Sequence, residues 1–93
     1  MILSFACEAT AKIHEGDKTP ELPADIQKVA LRKLQQLDIA KKLDDLPIPP
    51  GNRLEPLKGN RKGQHSIRIN DKYRIRFIFT DKGIEDVEIL DYH

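Results

Sequence analysis

Apolar residues in the first half of the chain recur at helical spacing, and those in the second half alternate at every second position. Ile26, Val29, Ala30, Leu34 and Leu37 return at intervals of three and four, with Lys28, Arg32, Lys33, Gln35 and Gln36 filling the other face. Pro23 suits a first turn, and the spacing predicts a helix running to about Leu43, ended by Asp44-Asp45-Leu46-Pro47-Ile48-Pro49-Pro50-Gly51. Ahead of it, Ile2 to Ala6 reads as a short first strand and Glu8 to Glu15 as a first helix. The two prolines of Gly16 to Pro23 separate the helices.

The second half predicts strands. Arg53 to Leu57 is short and carries Pro56, as an edge or irregular strand does. Gln64 to Asn70, Tyr73 to Phe79 and Ile84 to Leu90 have period two, joined by Asn70-Asp71-Lys72 and Asp81-Lys82-Gly83. Ile67, Ile69, Tyr73, Ile75, Phe77, Phe79, Val87 and Ile89 share odd parity and define an apolar face. Arg68, Arg74, Arg76, Glu88 and Tyr92 share even parity. A three-residue connection with Gly83 in a left-handed position sets Thr80 against Ile84, Phe77 against Val87, Ile75 against Ile89 and Arg76 against Glu88. In the preceding hairpin, Arg68 must then face either Arg74 or Arg76. The expected fold class is α+β: two N-terminal helices packed on one face of a small, mainly antiparallel sheet, in β-α-α-β-β-β-β order.

Length and composition narrow this further. Ninety-three residues suffice for a single domain, 1–93, with one modest core. Apolar residues make up 39% and charged residues 33%, and no apolar run approaches the length of a membrane span. No leader of signal-peptide type begins the chain, and the lone Cys7 excludes an internal disulfide, so a cytoplasmic address is expected. The net charge of +1 hides a segregation: Arg53 to Arg76 carries eight basic residues against Glu55 and Asp71. Such a footprint suits a polyanion, although a solvated charged face is the commoner reading of charge alone.

The even-parity arginines sharpen it. Like charges opposite one another on a sheet are destabilising, and Glu88 can neutralise only one of them, Arg76. An Arg68/Arg74/Arg76 cluster on an open face would clamp a phosphodiester through guanidinium forks, where a surface salt-bridge lattice with Glu85, Asp86 and Glu88 is the bland alternative. The loop from Lys58 to Lys62 would add contacts or be an ordinary turn. Tyr92 and His93 would serve as orienting and proton-transfer groups, with Asp91 beside them; the competing reading is a frayed tail. His14 reads as a helix-surface residue, His65 as structural and Cys7 as buried filler. The sequence holds no phosphate-cradling glycine loop, zinc cluster or serine triad, so no metal and no cofactor is expected. Phosphoryl chemistry on side chains alone suits RNA, whose 2′-hydroxyl is a built-in nucleophile.

The run Gly51-Asn52-Arg53-Leu54-Glu55-Pro56-Leu57-Lys58-Gly59-Asn60-Arg61, then Gly63 to Asp71, Tyr73-Arg74-Ile75 and the closing Asp91-Tyr92-His93 closely resemble HigB-type toxins. These belong to the RelE/ParE superfamily of type II toxin–antitoxin systems, and the likeness covers the whole length. It implies a ribosome-dependent mRNA endoribonuclease that inhibits translation and growth, held by a HigA-like helix-turn-helix antitoxin in a higher-order complex. By the same resemblance Lys58, Arg74, Tyr92 and His93 match positions around the scissile phosphate, and Asp91 an acidic position beside them. Arg53, Arg61, Lys62, Arg68 and Arg76 then bind RNA. Glu55 stands where some members carry a histidine, which places acid–base roles on Glu55 and His93 or weakens activity. His65 and Tyr73 replace tryptophans common in the family. Two alternatives stay open: a gyrase-directed toxin of the ParE type, against which the terminal histidine argues, and a ribosome- or RNA-binding growth inhibitor that does not cut.

Overall fold

In the computed structural model, which describes residues 1–47, 50–59 and 63–91, the two halves separate as their periods predict. Helices α1 (Glu8–His14) and α2 (Ala24–Ile39) are followed by 3₁₀ turns at Leu43–Asp45 and Pro50–Asn52. Strands β1 (Glu55–Pro56), β2 (His65–Arg68), β3 (Tyr73–Phe79) and β4 (Ile84–Asp91) complete the order. The four strands form one antiparallel sheet in sequence order. Ile2 and Phe5 add isolated parallel bridges to Ile84 and Val87, so the expected first strand lies along the outer edge of β4.

Helix α2 stops at Ile39, short of the expected Leu43. The Ala40 N–H closes the helix on the Gln36 and Leu37 carbonyls at 3.1 and 3.2 Å. Beyond it, Asp45 Oδ2 accepts the Lys41 and Lys42 N–H groups at 3.1 and 3.3 Å. A side-chain acceptor here competes with the helical carbonyls and starts a separate turn. Edge strand β1 is cut to two residues, one of them Pro56, whose missing N–H cannot extend a ladder.

The core lies between the helices and the odd-parity face. Ile26, Ala30, Leu34 and Leu37 pack with Ile67, Ile75, Phe77, Val87 and Ile89 in one buried cluster. Thr10 Oγ1 accepts the Ile89 N–H at 3.0 Å, tying α1 to β4. Lys33, assigned by pattern to the polar face, is instead buried with the apolar stripe. It lies three residues from Ala30 and four from Leu37, so its position belongs to that stripe and only its charge says otherwise.

The β3–β4 register follows the expected pairs at one end only. Ile75 faces Ile89 and Arg76 faces Glu88, but nearer the turn Phe79, not Thr80, faces Ile84. Thr80 and Gly83 bond each other, Thr80 N–H to Gly83 O at 2.8 Å and the reverse at 3.3 Å, so the loop is the two residues Asp81 and Lys82. A bulge reconciles the two registers. Asp86 adopts φ 53°, a left-handed conformation that Asp tolerates better than most residues. Its N–H donates to Ser4 Oγ at 2.9 Å. The extra residue puts Ile84 and Val87 on the same face, and both are buried. Gly83, at φ 152°, is required by close approach: a Cβ there would lie 2.7 Å from the Met1 carbonyl oxygen.

Candidate functional site

The β2–β3 ladder sets Arg68 against Arg74 and Ser66 against Arg76. β1 adds Glu55 opposite Ser66, and β4 adds Glu88 opposite Arg76. Cross-strand partners share a face, so Glu55, Ser66, Arg76 and Glu88 form one row across the sheet, with Arg68 and Arg74 in the next. Strand alternation alone brings these groups together on the side opposite the helices.

The arginines are not the open, unneutralised cluster that parity suggested. Arg76 donates Nη2 to Glu88 Oε1 and Nη1 to Gln64 Oε1 at 2.8 Å. Arg68 pairs with Asp71. Arg74 is 7% exposed, with Nε on Ser66 Oγ at 2.7 Å, and Nη2 on the Ser66 and Arg53 carbonyls at 3.2 and 2.5 Å. Its Nη1 stands 4.0 Å from Glu55 Oε1. Like charges coexist across this ladder because each guanidinium has its own acceptors, several supplied by backbone or by residues outside the strands.

Arg53 takes a left-handed φ of 44°, and this turns its carbonyl to Arg74. Asn52, beside it, is fully buried. Its Nδ2 donates to Gln36 Oε1 at 3.1 Å and to the Leu46 carbonyl at 2.9 Å, and its Oδ1 accepts from Lys33 Nζ. Burial, then the nearby Arg32 and Arg68 cations, hold the Lys33 ammonium below its ordinary pKa of 10.5. The segment feeding the site is therefore pinned to α2 from inside the protein. Ser66, Asn52 and Lys33 escape a reading of the sequence for chemistry. A small polar residue at an even strand position and a lysine on an apolar stripe are the only signals they give.

The remaining candidates divide. Glu55 is exposed beside Arg74, and Lys58 is exposed just after β1 and the buried Leu57. Asp91 faces Tyr73, on the side of the sheet away from Arg74, and its Oδ2 lies 3.7 Å from Lys72 Nζ. Tyr92, His93, Arg61 and Lys62 lie outside the described residues. His65 stacks on Phe77 with ring centroids 6.2 Å apart, a packing role. His14 is half-buried near Phe5, and Cys7 Sγ sits 3.0 Å from Thr10 Oγ1. Among the described residues no group of His, Cys, Asp and Glu is placed to hold a metal ion, and no helix is long and apolar enough to cross a membrane.

A sheet face of arginines set among the carboxylates Glu55 and Glu88, fed by a left-handed turn, is a pattern that relatives can identify. Residues 3–93 match the family described as the RelE-like toxin of the type II toxin–antitoxin system HigB. The chain belongs to that HigB-like toxin family. It is 44% identical over 94 residues to Toxin HigB-1 of Vibrio cholerae, covering 100% of this chain and 98% of the relative. It is 34% identical over 98 residues to Endoribonuclease HigB of Proteus vulgaris, covering both chains fully. An uncharacterized Haemophilus influenzae protein is 32% identical over 78 residues, covering 84% of this chain and 76% of the relative. As a HigB-like toxin of a type II system, the protein has an antitoxin as its implied partner.

Proposed function

We propose that this HigB-like toxin is a ribosome-dependent mRNA endoribonuclease that works without a metal. The observation that carries the reading is the Arg74 guanidinium, held in the sheet with Nη1 beside the Glu55 carboxylate. Arg76 and Arg68 flank it, and Lys58 follows the edge strand β1 that carries Glu55. The name of the Proteus vulgaris relative, an endoribonuclease, supports the same chemistry.

In this mechanism the substrate's 2′-hydroxyl attacks the adjacent phosphorus, the 5′-oxygen leaves, and a cyclic phosphate remains. Arg74 and Lys58 stabilise charge on the phosphoryl oxygens. Glu55 takes the 2′-hydroxyl proton, and His93, with Tyr92 and Asp91 near it in sequence, returns one to the leaving oxygen. Arg53, Arg61, Lys62, Arg68 and Arg76 hold flanking phosphates. The whole chain acts as one RelE-like domain in the cytoplasm. A HigA-like helix-turn-helix antitoxin restrains it in a higher-order complex.

Mapping of mRNA 5′ ends after induction, with and without a block on protein synthesis, tests this. New ends inside translated messages that vanish under the block are expected. Growth arrest with unchanged ends would overturn the endonuclease and favour gyrase or a non-cleaving ribosome contact.

A further inference from the structure

We propose that Ser66 is a positioning residue for RNA cleavage, acting through Arg74; this rests on the endoribonuclease reading above. Ser66 is 1% exposed and sits in the middle of the Glu55–Glu88 row, opposite Glu55 on one side and Arg76 on the other. Arg74 enters from the neighbouring row and lies over it. The Ser66 hydroxyl accepts Arg74 Nε at 2.7 Å, and the Ser66 carbonyl accepts Nη2 at 3.2 Å. One small residue thus supplies two of the acceptors that set the plane of the guanidinium.

The side chain at this position meets two demands at once. It must be short, because the buried Arg74 fork occupies the space above it. It must also carry an acceptor, because Nε is buried and donates to the Ser66 hydroxyl at 2.7 Å, a bond that an apolar replacement removes. Because the guanidinium is a rigid planar fork, fixing Nε and Nη2 fixes where Nη1 points, here 4.0 Å from Glu55 Oε1. Ser66 itself is too deeply buried to touch a substrate. Its effect is on the direction of Arg74, and misplacing a charged group by about 1 Å costs on the order of 10²-fold in rate.

The test is single-turnover and steady-state cleavage of a ribosome-bound message by the full chain. Ser66→Ala should lower kcat by about 10- to 100-fold with KM nearly unchanged, and Ser66→Thr, which keeps the hydroxyl, should recover most of the rate. In an Arg74→Lys background Ser66→Ala should cost almost nothing further, since the fork it aims is gone. If Ser66→Ala fails to fold by circular dichroism, the near-isosteric Ser66→Cys, a weak acceptor, should show the same loss. A folded Ala or Cys variant with wild-type kcat, or losses that add to those of Arg74→Lys, would overturn the assignment while leaving the endonuclease standing. A wild-type protein that cuts nothing would overturn both.

Discussion

Replacing Asn52 by alanine should destabilise the protein more than any exposed substitution in the site. Asn52 is fully buried and makes three hydrogen bonds, to Gln36, to the Leu46 carbonyl and from Lys33. The two neutral bonds are worth about 1 kcal/mol each and the one from the ammonium about 1.5–3 kcal/mol, giving a loss of about 3.5–5 kcal/mol. That is a large fraction of the 5–15 kcal/mol typical of a whole domain. Urea denaturation followed by circular dichroism would show a lower midpoint with an unchanged slope. The Lys33→Met, Asn52→Leu double variant removes both polar partners together, so its loss should fall well below the sum of the single losses. A loss under about 1 kcal/mol for Asn52→Ala, or strict additivity in the pair, would refute the claim that this contact pins the Arg53 turn to α2.

Other consequences are as direct. Phe77 is fully buried, so Phe77→Ala should cost about 3–5 kcal/mol by denaturation, and less than about 1 kcal/mol would contradict the packing of β3 against the helices. Because Lys33 has a lowered folded-state pKa, the unfolded chain binds more protons just below the ordinary lysine value. Wild-type stability should therefore rise relative to Lys33→Gln as pH climbs toward 10.5, and a flat difference would remove the buried ammonium. Deleting His93 should slow cleavage by roughly 10²–10⁴-fold while shifting unfolding by no more than a few tenths of a kcal/mol; near-normal cutting would leave Glu55 as the proton-transfer candidate.

The parts legible in the sequence are those where one period dominates. Strand parity from Ile67 to Ile89 was enough to assign the core face and the arginine face, and it paired Arg68 with an arginine. It failed where an inserted residue changes parity: the bulge at Asp86 lets the two-residue turn coexist with the Ile75–Ile89 pair, and its trace in the sequence is Ile84, apolar at even parity three residues before Val87. The candidate site was legible as a set of charges, not as their partners. Arg74 is satisfied by backbone carbonyls and a serine, and carbonyls carry no sequence signal. Lys33 was misassigned for the opposite reason, since its spacing placed it inside and its charge argued outside.

If the proposed cleavage turns the substrate's own 2′-hydroxyl on the neighbouring phosphate, it cannot proceed where that hydroxyl is missing. It is tested most directly with purified protein and a ribosome-bound message, compared with the same message carrying one 2′-deoxy nucleotide immediately before the mapped cut. Cleavage of the all-RNA message to a 5′-hydroxyl end, and none at the deoxy position, is expected. An uncut RNA message, or equal cutting of both, would contradict it.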